Sequence, residues 1–125
     1  MFTSIFGEPV GILVIDADRT NGAMTIAPET FESDNEVKPY ATRGLAELSA
    51  DIMLRKFYRE LCDRPDVDNI WLGRKVFNDD TDGTSYATIM YHEYASGEEP
   101  NYQDPNRERC YLIATARQIK SWPRN

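Results

Sequence analysis

Hydrophobic periodicity is strongest between Gly44 and Cys62. At about 100° per residue, Ala46, Ala50, Met53, Leu54, Phe57 and Leu61 fall on one side of a helix, in a stripe broad enough to face a core. A second stripe, Ala41, Leu45, Leu48 and Ile52, lies roughly opposite and gives way further on to Arg55, Lys56 and Arg59. One core needs only one stripe, so the second has to meet a covering loop or another protein surface. Gly44 with Glu47 resembles a weak capping arrangement, and Asp63-Arg64-Pro65 closes the helix.

The flanking segments read as strands. Residues 10–18 form an apolar run, and Asn21-Gly22 signals a two-residue hairpin turn into a returning strand over residues 23–27. Residues 28–39 are polar and acidic, as befits a surface loop. Residues 69–77 alternate, with Ile70, Leu72 and Val76 on one face and Trp71, Lys75 and Phe77 on the other. Asp82-Gly83 turns the chain into residues 86–95, where Ala87, Ile89 and Tyr91 oppose Tyr86, Thr88, Met90, His92 and Tyr94. A last strand is expected over residues 110–119. Between the last two lies a polar loop, residues 96–109, which is long for a hairpin and expected to be functional, with Tyr102 suited to a lid or a partner contact.

The order β-β-α-β-β-β predicts an α+β fold: an antiparallel sheet with one main helix packed on one face, in one compact domain over residues 1–125. One helix buries one face, so Trp71, Phe77, Tyr86, Met90 and Tyr94 are expected to form an apolar outer surface. Self-association through that surface, or through Leu45, Leu48 and Ile52, follows, with a homodimer or higher oligomer as the default.

Composition narrows the class. With 125 residues, 41% of them hydrophobic and 28% charged, the chain can bury a core without disulfides or metal. The longest apolar run is far too short for a membrane span, and residues 1–8 lack the features of a signal peptide, so a cytoplasmic protein with no membrane partner is expected. Cys62 and Cys110 belong to no CxxC pair and are expected to be reduced and mostly buried. The net charge of −7 is unevenly spread: −5 over residues 1–42, +1 over 43–64, −7 over 65–106 and +4 over 107–125. A broad basic face for direct nucleic-acid binding is therefore not expected. The basic tail, Arg107, Arg109, Arg117, Lys120 and Arg124, can pair with acidic loops or hold a phosphate-bearing ligand.

Catalytic chemistry finds little support. His92 is the only histidine, no GxSxG elbow accompanies it, and its neighbour Glu93 points to the opposite face of a strand. Asp16-Ala-Asp18 and residues 78–83 are rich in oxygen ligands, but counting on from Asp16 or Asp80 places Ala27 or Tyr91 where a calcium loop of about twelve residues needs its glutamate. Both clusters coincide with turns, where Asp, Asn and Gly belong for backbone reasons. No glycine-rich phosphate motif is present, and no cofactor or metal is expected.

Three functions compete. The leading expectation is a non-enzymatic acidic binding protein that engages a protein partner through its acidic surface and long loop. By class-level analogy with compact acidic proteins of mobile genetic elements, this would be an inhibitor of a host nucleic-acid-handling or defence enzyme. The second is an oligomer that sequesters a small nucleotide-type phosphate ligand at a subunit interface, drawing its pocket from Tyr40, Arg43, Tyr91, Tyr102, Arg107, Arg109 and Arg117. The third is a small enzyme with Glu93, Asp79 or Asp80 as general base.

Overall fold

The apolar run Val10–Asp18 is strand β1, and it is apolar without alternation because both of its faces are covered. A computed structural model of the protein describes residues 9–33, 36–73, 85–99 and 101–122, apart from the side chains of Ser85 and Tyr86. After β1 come β2 (Met24–Ile26), a 3-10 turn at Pro28–Thr30, the short pair β3 (Phe31–Ser33) and β4 (Glu36–Val37), and helix α1 (Arg43–Cys62). Strands β5 (Val67–Gly73), β6 (Ser85–Glu93) and β7 (Arg107–Thr115) follow, and helix α2 (Ala116–Lys120) is the last element described. The fold is α+β, with one five-stranded antiparallel sheet in the order β2-β1-β7-β6-β5 and one main helix. Because β1 lies between β2 and β7, the early hairpin extends the later meander.

Helix α1 packs as its first stripe requires. Ala46, Ala50 and Leu61 are buried, and Met53, Leu54 and Phe57 pack beside them against Ile12, Val14, Tyr111 and Ile113 at one end and Ile89 and Tyr91 at the other. Its N-cap is Thr42, whose side chain accepts from the Leu45 N–H, rather than the expected arrangement at Gly44.

The opposite face of the sheet is not left bare. Leu13, Ile15 and Leu112 pack against Val37 of β4 and Ile119 of α2. Gly11 permits this closeness, since a Cβ there would collide with the Val37 and Ile119 side chains. The expected strand over residues 110–119 is thereby corrected: β7 starts three residues earlier and ends at Thr115, where the chain turns into α2. Thr115 accepts from the Gln118 N–H while the Gln118 side chain accepts from the Thr115 N–H, a capping box that outweighs the strand pattern of the apolar residues around it.

Other boundaries differ from expectation as well: β5 begins at Val67 and not at residue 69, and β6 ends at Glu93 and not at residue 95. The first hairpin closes through residues 19–22 rather than Asn21-Gly22 alone. The Asp18 carboxylate accepts from the Thr20 N–H and hydroxyl, Asn21 Oδ1 accepts from the Ala23 N–H, and Gly22 sits at φ 77°. The segment Pro28–Thr30 is ordered rather than a free loop, because buried Thr30 Oγ1 accepts from the Val14 N–H, capping the ladder where β2 ends. Cys110 is buried as expected and Cys62 is exposed; neither forms a disulfide.

Candidate functional site

The long polar connection between β6 and β7 is stapled to the sheet by side chains along its described length. Asn106 accepts from the Glu93 N–H and donates to the Glu93 carbonyl, while its own N–H donates to the Tyr91 carbonyl and its carbonyl accepts from the Arg19 N–H. The Tyr94 hydroxyl donates to Asp68 Oδ2 at 2.7 Å and accepts from the Asn101 and Tyr102 N–H groups at 3.2 and 2.9 Å. Burial, and then the Asp68 carboxylate, push this hydroxyl above the ordinary tyrosine value, so it remains a donor at neutral pH. The Asp104 carbonyl accepts from His92 Nδ1 at 2.9 Å, which places the ring proton on Nδ1.

These contacts present two aromatic residues. Asn69 interrupts β5 at an irregularity between Asp68 and Trp71, with φ 50°, and Tyr102 lies at φ 48°. They are the two non-glycine residues with left-handed backbone among those described, a conformation that costs a bulky residue about 1 kcal/mol or more. They are also clasped together. Asn69 Oδ1 accepts from the Tyr102 hydroxyl at 2.9 Å and from Trp71 Nε1, and Asn69 Nδ2 donates to the Gln103 carbonyl. Even so, Trp71 remains 55% exposed and Tyr102 69%. Behind Tyr102 lies an open cleft of about 600 Å³ lined by Thr20, His92, Gln103, Asp104, Pro105 and Asn106.

No protein-family model matches the chain, and no curated protein or solved structure is significantly similar to it.

The seven residues singled out for a phosphate pocket are not gathered in one place. Tyr91, Arg107 and Arg109 do share the α1 side of β6 and β7, but carboxylates surround both arginines. Arg109 forms a bidentate pair with Asp16 at 2.7 and 2.9 Å, reaches Glu29 at 3.0 Å and stacks over the Phe57 ring. Burial, the largest single influence, works against its charge, yet Asp16, Tyr111 and Glu29 together outweigh it and the guanidinium pKa rises. Arg107 joins Asp18 and Glu93, and Arg64 joins Glu93 and Asp66, extending the network along the sheet. Tyr40 bonds Ser49 and lines a separate cleft beside Glu29 and Met53; Arg43 pairs with Glu47; Tyr102 belongs to the loop platform; Arg117 lies on α2 instead of a strand beside β6.

The residues expected on an apolar outer surface also separate. Leu45, Leu48, Ile52 and Trp71 are exposed, and Met90 is half-buried. Tyr94 is 5% exposed and serves as an internal tie, because the loop folds back over it. Phe77 and the Tyr86 side chain lie outside the described residues, as do Asp79 and Asp80. Glu93, the remaining candidate base, is held by Arg64 and Arg107. His92 offers no open base: Nδ1 is engaged, and Nε2 is buried without a hydrogen-bond partner. Sequence reasoning missed Asn69, the residue that organises the site. Its one signal was a residue of turn type at the start of a strand pattern.

Proposed function

We propose that this chain is a non-enzymatic binding protein whose recognition surface is the Trp71–Tyr102 platform. The observation that carries the reading is that two aromatics, each more than half exposed, have their polar ends fixed by one Asn69 amide in locally strained backbone. Large side chains held in place before binding lose little rotamer freedom on docking, which is how interface anchors gain affinity. Glu98, Glu99 and Asp104 in the same loop and a net charge of −7 favour a basic partner face. The basic groove of a nucleic-acid-handling or defence enzyme has that chemistry, so inhibition by occlusion is the specific form of the proposal.

A pulldown comparing wild type with Trp71→Ala and Tyr102→Ala, each checked for an unchanged melting temperature, tests it. Each substitution should weaken partner binding about 30-fold, the loss of one interface hot spot of roughly 2 kcal/mol. Unchanged binding in both folded variants would refute the platform.

A further inference from the structure

The outer face of α1 is a second surface, built from other residues, and it changes character along its length. Taking Leu45 as the origin of the helical wheel, Leu48, Ile52, Arg55, Lys56 and Arg59 all fall within an arc of about 100° opposite the buried Ala46 and Ala50. The first half of this arc is apolar and open: Leu45 is 51% exposed, Leu48 60% and Ile52 61%. The second half is cationic. Among the described residues Arg43, Arg64, Arg107 and Arg109 each pair with carboxylates, whereas no carboxylate pairs with Arg55, Lys56 or Arg59, although acids outnumber bases by 21 to 14 in the whole chain. Three exposed cations to which no described carboxylate is paired, in line with an exposed apolar stripe, are arranged for an acidic partner from outside the chain.

A second copy of α1 does not fit this face. Pairing two such helices in parallel opposes their cations directly. Pairing them antiparallel sets Arg55 and Arg59 over the other helix's N-terminal turn, whose free N–H groups are already positive. An acidic helix has the reverse fit. Laid antiparallel on α1, its first two turns meet the cations and its later turns meet Leu45, Leu48 and Ile52, and acidic residues are also favoured in a helix's own first turn.

We infer that the outer face of α1 docks an amphipathic helix of another protein, with acidic residues in its first two turns and leucine-type anchors at i, i+3, i+4 and i+7 beyond them. The probe is a labelled synthetic peptide of that design, about 18 residues or five turns long, compared by fluorescence anisotropy with a twin carrying Lys for every Glu. The acidic peptide should bind saturably, at least tenfold more tightly than its twin, and more weakly as salt rises. Arg55→Glu combined with Arg59→Glu, or Leu48→Ser alone, should each cost at least tenfold; all three positions are exposed, so an unchanged melting temperature confirms that the fold survives. Equal binding of the two peptides, no binding of either, or binding lost in Tyr102→Ala but kept in Leu48→Ser would overturn the inference. So would sedimentation showing a dimer of the unliganded protein that Leu48→Ser dissociates.

Discussion

Tyr94 shows how much of this molecule turns on single polar atoms. Its hydroxyl makes three hydrogen bonds, one of them to the Asp68 carboxylate, whose other oxygen is buried without a partner. Tyr94→Phe removes all three and strips Asp68 of this donor, so a loss of about 2 kcal/mol is expected, since each buried polar group left unpaired costs about 1–3 kcal/mol. Amide exchange at Asn101 and Tyr102 should quicken in the same variant, which hydrogen–deuterium exchange would read directly. Asp18 offers a test in pH. Hydrogen bonds from the Thr20 side chain and backbone, followed by Arg107, lower its carboxyl from the ordinary 3.8 to about 2. A depressed carboxyl contributes stability that is present above its unfolded value and lost as pH falls through its folded value. The melting temperature should therefore drop between about pH 4 and pH 2, and Asp18→Asn should lower it at neutral pH while making that acid drop shallower. None of these atoms could be located from the sequence. Tyr94 reads there as one more aromatic on an outward strand face, and only the loop's return over the strand converts it into an internal tie.

At the scale of elements, legibility followed the length of the pattern. Helix α1 was plain because two stripes run along several turns, and their burial and exposure match the wheel. Strand β1 was equally plain, although the reason for its unbroken apolar run, cover on both faces, needed α2 and β4 to be seen. Helix α2 was missed because five residues are too few to show a helical period. The better signal was Thr115 with Gln118 three positions on, a capping box hidden in what resembled a continuing strand. Its packing explains Gly11, which lies directly beneath Val37 and Ile119 on the same face of the sheet. Gly11→Ala should overfill that contact and cost about 1–3 kcal/mol, seen as a lower denaturation midpoint with an unchanged m-value. A neutral or stabilising result would mean that α2 and β4 sit more loosely than their burial indicates. The irregularity at Asn69 was hidden for another reason: the alternating pattern begins at Asn69, which reads as the first residue of a strand, whereas β5 starts at Val67 and Asn69 breaks it.

For the whole molecule, the fold class follows from element order, whereas the site depends on long-range closure. Asn69 and Tyr102 are 33 positions apart, and no local pattern announces that they share a hydrogen bond. The charge pattern, by contrast, was half legible. The basic character of the last segment is real, but Arg107 and Arg109 are paired within the chain with Asp18, Glu93, Asp16 and Glu29, which turns a phosphate pocket into a structural network. The recognition surface of the proposed function is instead the outward-facing aromatic platform with its acidic neighbours. Photocrosslinking from that platform tests this most directly, with the photoreactive substitution Tyr102→benzoylphenylalanine compared with the same substitution at Arg117 on α2. Crosslinking to a discrete basic protein from position 102 and not from 117 is the predicted result. Equal crosslinking from both positions, or none from position 102, would contradict the account.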